Sequence, residues 1–325
     1  MKKLLQEREA FLAIAIVLIC IAASIAWPGV FPTFDNLSQV LLNLSIDAIV
    51  AVGMMLLLIS GSFDLSVGSV VAFSGGITAY LLYYCGMYPL PAVLIGMSAA
   101  ALVGFINGYL VAKAGINPMI QTLAMMGIIR GAALMISGSG IQNLPADFNV
   151  LGQSNFLGLQ SPVWVMLLVV FSFDFLVSKN IFFRRYYYIG NNEKAAMLSG
   201  IKVQKLKITG FILASLLAGL AGILLASRLG ASLGTSGKGM ELRVITAAIL
   251  GGASLSGGEG RIMGALLGTI FMAVISNIMI IARVSGYWQE MVLGLILILA
   301  VWIDIVLKDP RGLSLKARFT KLKTS

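Results

Sequence analysis

Nine apolar runs, each approaching the roughly 20 residues a helix needs to cross a hydrocarbon core, divide this chain almost from end to end. They cover 11–27, 44–60, 65–84, 91–112, 118–137, 162–178, 207–227, 262–282 and 288–307. Inside lipid every backbone N–H and C=O must be satisfied without water, so such runs fold as helices. Composition agrees: 59% of residues are hydrophobic and 11% charged, against about a quarter charged in soluble domains. The expected fold class is an all-α polytopic membrane protein forming one transmembrane domain over 1–325.

A tenth segment, 244–252 ("VITAAILGG"), is too short to cross as a lone helix. It crosses as a broken span if 253–260 ("ASLSGGEG") supplies irregular backbone buried in protein or lining a water-filled cavity. Charge decides whether it counts. With about ten transmembrane helices and both termini cytoplasmic, Lys and Arg concentrate in the inner segments, including the basic tail 308–325. Only Arg228, Lys238, Arg243 and Arg283 then fall outside, and Arg130 falls within a span. Nine crossings would put the tail outside, against the positive-inside rule. Glu7 and Glu9 before the first run read as part of a retained anchor rather than a cleaved signal.

The net charge of +10 is therefore topological. Its basic residues lack the aromatic interleaving of single-strand binders, and no nucleic-acid partner is expected. With no histidine, and with Cys20 and Cys85 far apart, no metal site is expected. No phosphate-binding loop is present either; "GTSGKG" at 234–239 lacks the first glycine and the final hydroxyl. Asp47, Asp64, Asp174 and Asp304 are isolated from one another, so neither catalytic residues nor an ion-coupling carboxylate cluster is expected. The chain reads as a transport subunit, not an enzyme, and its energy comes from elsewhere.

Several polar groups stand out against this background. "SGSFDLSVGS" (60–69) and "LGGASLSGGEGR" (250–261) interrupt the apolar sequence on the inner side. Asp64 and Ser66, with Gly68 beyond, suit the start of a new helix. Two readings fit each stretch: a tight re-entry turn, or a hinge along a pathway of the kind broken helices form. Asn107, Gln121 and Thr122, with Asn117 capping ahead of Pro118, put neutral hydrogen-bonding groups between two spans. These serve as interhelical glue or as contacts for a passing polyol. Outside, Arg228, Lys238 and Arg243 flank a Gly/Ser-rich stretch and are either solvated loop charge or a docking patch for a soluble partner.

The segment 190–207, "GNNEKAAMLSGIKVQKLK", follows the interfacial run "FFRRYYYI". Glu193 to Leu198 spans one to two helical turns. Ala195, Leu198 and Ile201 share one side, and Gly200 suits a helix stop. An Ala-Ala pair with an apolar side at cytoplasmic exposure offers close approach to a partner.

At these residues the chain resembles the permease subunits of bacterial ATP-binding cassette importers for simple sugars, of the ribose/xylose/galactoside type. The segment 190–207 is similar to that family's cytoplasmic coupling helix. "FDLSVGS", "GINPMIQTLAMMGIIRG" and "LGGASLSGGEGR" resemble three further motifs in the same order. The resemblance implies a multi-pass permease of the bacterial inner (plasma) membrane. It would bind no cofactor itself, ATP and Mg²⁺ being used by cytoplasmic ATPase subunits. Its other partners would be a periplasmic or lipid-anchored sugar-binding protein and a second permease copy or sibling. Gly190, Asn191, Ala195, Ala196, Ser199, Gly200, Ile201 and Val203 would form the ATPase-docking surface, with Asp64, Ser66 and Gly68 at a gate. The permease of a branched-chain amino-acid importer is the alternative, and an ion-coupled secondary transporter is a more distant one.

Overall fold

The computed structural model describes the backbone of residues 2–308 and the side chains of residues 9–302. The Lys2, Lys3, Arg8 and Asp304 side chains and the basic tail beyond 308 lie outside the described residues. All ten apolar segments are helical, in the order α1 (Lys2–Ala26), α2 (Phe34–Ile59), α3 (Val67–Tyr83), α4 (Pro89–Ala112) and α5 (Pro118–Ser137). After α6 (Ala146–Gln153) and a two-residue hairpin, β1 (Asn155–Phe156) and β2 (Leu159–Gln160), comes α7 (Ser161–Lys179). Two short helices, α8 (Ile181–Asn191) and α9 (Glu193–Leu198), lead to α10 (Val203–Leu229), α11 (Met240–Leu250), α12 (Ile262–Ile281) and α13 (Gly286–Lys308). Among the described residues seven helices are long and apolar enough to cross a membrane. The hairpin and α6, between α5 and α7, were not legible in hydropathy.

The bundle is built around α2, which is buried continuously from Ala48 to Ile59. Water does not drive helices together in lipid, so close contact between small residues does. Gly53 of α2 meets Ala214 of α10, and Gly104 and Gly108 of α4 meet Phe211 and Ile208 of α10. At Gly222 of α10, an added Cβ would collide with the carbonyl of Val71 on α3. The outward faces of α1, α4 and α7 carry exposed Phe11, Leu18, Leu94, Leu102, Leu168 and Phe175, suited to lipid.

Helices α2 and α10 run antiparallel, with Leu57 beside Gly210 and Asn43 beside Arg228. Each is followed by irregular chain and a short helix: 60–66 before α3, and 230–239 before α11. Helix α3 packs on α10, α4 and α5, while α11 packs on α2, α12 and α13. The second half thus repeats the packing of the first in the opposite direction, an inverted repeat. The short helices have 17 and 11 residues, roughly 25 and 16 Å, less than the hydrocarbon core of about 30 Å.

Helix α5 serves as a ruler for how deep the broken stretches go. Ser232 is bridged to Ile141 beyond the outer end of α5. Gly234 then lies against Leu134, and Arg130 donates to the carbonyls of Gly234 and Ser236 at 2.9 and 2.7 Å. Ser69 of α3 donates to the Met126 carbonyl at 3.0 Å, and Gly68 is pressed against Gly237. Met126 and Arg130 sit roughly 12 and 18 Å above Pro118 at 1.5 Å per residue. The two short helices therefore begin near mid-depth, start against start. This corrects the expected broken span: the irregular backbone completing α11 is 230–239, on its N-terminal side, and not 253–260. The latter folds back at the inner end.

Two glycine substitutions test this packing. Gly222→Leu overpacks the α3–α10 contact and should destabilise by about 3 kcal/mol. At Gly127 an added Cβ meets nothing within 4 Å, so Gly127→Ala should be neutral or gain about 0.5–1 kcal/mol. Thermal midpoints of the detergent-solubilised chain report the difference; equal midpoints would contradict the packing described.

Candidate functional site

The three stretches singled out in the sequence meet at the inner end of α2. Helix α8 starts where Asn180 Oδ1 accepts from the Phe182 N–H at 2.8 Å. Its Tyr186 and Ile189 face inward, while Arg184, Arg185 and Tyr188 are exposed. The buried Tyr186 hydroxyl donates to the Leu206 carbonyl at 2.9 Å, tying α8 to the start of α10. The Tyr187 hydroxyl donates to the Gly260 carbonyl at 2.8 Å, tying it to the 251–261 connection. Burial pushes the Tyr187 phenol up to about 12, so it stays neutral and keeps its proton to donate.

Helix α8 ends at a glycine junction. A Cβ on Gly190 would collide with the Ile59 carbonyl and the Gly258 nitrogen. The Gly258 N–H donates to that same carbonyl at 2.9 Å, satisfying a backbone group left over at the end of α2. Gly257 faces Gly61 and Gly190, each 2.9 Å from where its Cβ would stand. Its φ of +85° and that of Gly61, +74°, are left-handed values that glycine adopts without penalty. Three chain segments approach to backbone contact here because none carries a side chain.

Beyond the junction the chain forms α9. Asn192 caps it, its Oδ1 accepting from the Ala195 N–H at 3.0 Å. It ends in a Schellman turn: the Gly200 N–H donates to the Met197 carbonyl at 3.0 Å, and the Ile201 N–H to the Ala196 carbonyl at 3.1 Å. Gly200 has φ +80° with open space around it. Lys207 pairs with Glu193 at 2.7 Å, fixing α9 to α10. A groove of about 380 Å³ runs along this element, lined by Tyr188, Asn191, Asn192, Ala195, Ala196, Ser199 and Ile201. Leu198 beside it is 91% exposed. Of the expected docking set, the structure brings Asn191, Ala195, Ala196, Ser199 and Ile201 onto one groove. Gly200 shapes its end, while Gly190 and the buried Val203 anchor it beneath.

The expected gate residues divide. Asp64 Oδ1 accepts from the Ser66 N–H at 2.7 Å and from its hydroxyl at 2.5 Å. Asn107 on α4 donates to Ser66 Oγ at 3.0 Å and to Asp64 Oδ2 at 3.4 Å. Gln121 on α5 donates to Asn107 Oδ1 at 3.2 Å. These four form one buried network one turn above the inner end of α5, holding the rising stretch 60–66 against two helices. Thr122 donates back to the Pro118 carbonyl of its own helix, exposed Asn117 caps α5, and Gly68 lies at the mid-depth contact.

The expected outer patch is not assembled. Arg228 stays near the outer end and donates to Asn43 at 2.9 Å. Arg243 is carried inward by the descending loop and pairs with Asp47 at 3.0 Å. Both line a cavity of about 390 Å³ with Ser276 and Asn277. Lys238 is exposed at mid-depth. Sequence reading missed Gly61, Tyr187, Gly257 and Gly258 as contact residues. Their glycine spacing was visible, but nothing in one sequence shows which stretches touch.

Residues 36–301 match the family model described as branched-chain amino acid transport system / permease component. The ribose import permease proteins of Escherichia coli and Bacillus subtilis are each 37% identical. The first match covers 93% of this chain and 95% of the relative, the second 92% and 93%. The L-arabinose transport system permease protein of Escherichia coli is 39% identical over 87% of this chain and 86% of its own length. No solved structure gives a significant match. With the family model spanning most of its length and these relatives covering nearly all of it, the chain belongs to the branched-chain amino acid transport system / permease component family.

Proposed function

We propose that this chain is the membrane-spanning permease subunit of an ATP-driven, binding-protein-dependent importer for a simple sugar or related polyol, multi-pass in the bacterial inner membrane. The observation that carries the mechanism is the glycine junction beneath α9. Helix α9 offers a shallow groove and an exposed Leu198 to a cytoplasmic ATPase subunit, which binds the ATP and Mg²⁺. Movement of α9 passes through α8 to Ile59 at the end of α2, and to both 60–66 and 251–261, because these segments touch backbone to backbone. Those connections adjoin the mid-depth start of α3 and the inner ends of α11 and α12, so one push reaches both halves of the inverted repeat.

Relatives named for ribose and arabinose import support the sugar reading over the amino-acid one. Against ion coupling, the mid-depth Asp47 is already paired with Arg243. Residues Asn107, Gln121, Asp64 and Ser66 act as the positioning knot of the inner gate. A substrate-binding protein delivers the cargo at the outer side, where Arg228 lies.

Two variants test coupling. Leu198→Asp leaves folding untouched, since the side chain is 91% exposed, but removes an apolar contact worth about 2 kcal/mol when buried by a partner. Sugar uptake in proteoliposomes with the ATPase and binding protein should fall at least tenfold at unchanged thermal midpoint. Gly200→Val strains the left-handed turn by about 1–2 kcal/mol without a clash. It should uncouple ATP hydrolysis from uptake; normal uptake in both variants would contradict docking at α9.

A third variant tests the junction. Tyr187→Phe deletes the hydrogen bond to Gly260 and should cost about 1 kcal/mol, with uptake lowered more than ATPase binding. Unchanged stability and uptake would show that α8 and 251–261 are not mechanically joined. If the purified chain alone moved sugar down an ion gradient, the ATP-driven reading itself would fail.

A further inference from the structure

Helix α8 carries positive charge on a face that nothing among the described residues neutralises. Its residues divide by helical spacing into two sides. Phe183, Tyr186, Tyr187 and Gly190 turn toward the bundle, while Ile181, Arg184, Arg185 and Tyr188 turn away and are exposed. Neither arginine forms an ion pair among the described residues; the nearest acid in sequence, Glu193, is taken by Lys207. The helix begins directly after the inner end of α7 and ends against Ile59 at the inner end of α2. Both of its ends are at the inner level, so α8 lies along the membrane surface and not across it.

The lipid-suited side of α7 leads straight to this helix. Leu168, Phe171 and Phe175 are exposed at spacings of three and four, and the exposed Lys179 continues the stripe in the last turn. Asn180 alone separates the two helices, with extended backbone at φ −83° and ψ 128°. An apolar stripe and three cations therefore meet around one corner, where Ile181 and Phe182 are also exposed. The planar fork of arginine matches phosphate oxygens, and basic residues at the cytoplasmic leaflet face anionic headgroups. An acidic protein surface would match the two arginines, but it has no use for the apolar stripe that runs from them up α7 into the membrane. A phospholipid uses both.

We propose that α7 and α8 form a binding site for an anionic phospholipid of the inner leaflet. Lys179, Arg184 and Arg185 hold its phosphate, and an acyl chain lies along Leu168, Phe171 and Phe175. The arginine face of α8 ends at Tyr188, which lines the groove beside α9. On the opposite face, the Tyr186 and Tyr187 hydroxyls donate to the Leu206 and Gly260 carbonyls. A lipid held on the outside thus fixes α8 at headgroup level, and with it the height at which α9 meets an ATPase. The lipid site stands by itself; its effect on the ATPase rests on the importer reading.

The test is native mass spectrometry of the full chain released from mixed micelles holding equal phosphatidylglycerol and phosphatidylcholine. The unsubstituted chain should retain phosphatidylglycerol over phosphatidylcholine by roughly fivefold or more. Arg184→Gln with Arg185→Gln should abolish that preference at unchanged thermal midpoint, and Arg184→Lys with Arg185→Lys, which keeps the charge, should restore most of it. Lys113→Gln with Lys205→Gln removes equal charge from other exposed inner positions and should leave the preference intact. Equal loss in both glutamine pairs would show diffuse attraction only and overturn the site, as would a chain with no preference to begin with. Full competition by inorganic phosphate would overturn the acyl contact. In nanodiscs with the ATPase subunits, adding phosphatidylglycerol should raise ATP hydrolysis roughly fivefold, and not in the Arg184→Gln, Arg185→Gln pair. Hydrolysis indifferent to phosphatidylglycerol, with lipid retention intact, would overturn the positioning of α9. Loss of ATPase binding by that pair in pure phosphatidylcholine would make the face a protein contact and overturn the lipid site. A chain that retained phosphatidylglycerol but never bound ATPase subunits would count against the importer reading alone.

Discussion

Backbone groups inside a membrane protein have to find partners without water, and at the inner end of α2 they do so through glycine. The Ile59 carbonyl is satisfied by Gly258, and Gly190 is close enough that any side chain there would displace both. This contact fixes where α8 ends, and therefore where α9 presents its groove. It also fixes the floor on which the stretch 60–66 turns upward. An element built this way is a rigid extension of the core helix, in contrast to a loop that could absorb a push by bending.

The same constraint explains the middle of the bundle. Two helices too short to cross begin near mid-depth, and the chain leading to each needs hydrogen-bond partners that lipid does not offer. Near the inner side, Asp64, Ser66, Asn107 and Gln121 supply them as a closed network. On the way down from the outer side, Arg130 supplies them for Gly234 and Ser236. Arg130, which the sequence places within a span, is thus a backbone clamp. The polar residues of this chain work in two modes, as fasteners for irregular backbone and as groups left facing open space.

Much of the architecture was legible because hydropathy and charge bias are strong signals in lipid. All ten apolar segments are helices, and the short helix α9 with its glycine stop was legible from Glu193–Leu198 and Gly200. What failed was depth. Lys238 and Arg243 were placed on the outer surface because the stretch before α11 is polar and Gly-rich, the composition of a solvated loop. Composition cannot distinguish that from a re-entrant stretch whose partners lie about a hundred residues away on α5. The start of α2 at Phe34 rather than near residue 44 has a related cause: Asn36, Asn43 and Asp47 interrupt the apolar run but find partners in Asn277, Arg228 and Arg243.

The central claim is that α9 and the 251–261 connection move as one body when the ATPases close. It is tested most directly by pulsed electron paramagnetic resonance distances between spin labels at Lys194 on α9 and Leu255 in that connection. Leu90, at the outer start of α4, serves as the second reference. In the assembled transporter, trapping ATP should leave the Lys194–Leu255 distance unchanged while the Lys194–Leu90 distance shifts. A Lys194–Leu255 distance that changes on ATP binding while Lys194–Leu90 stays constant would contradict a rigid glycine junction.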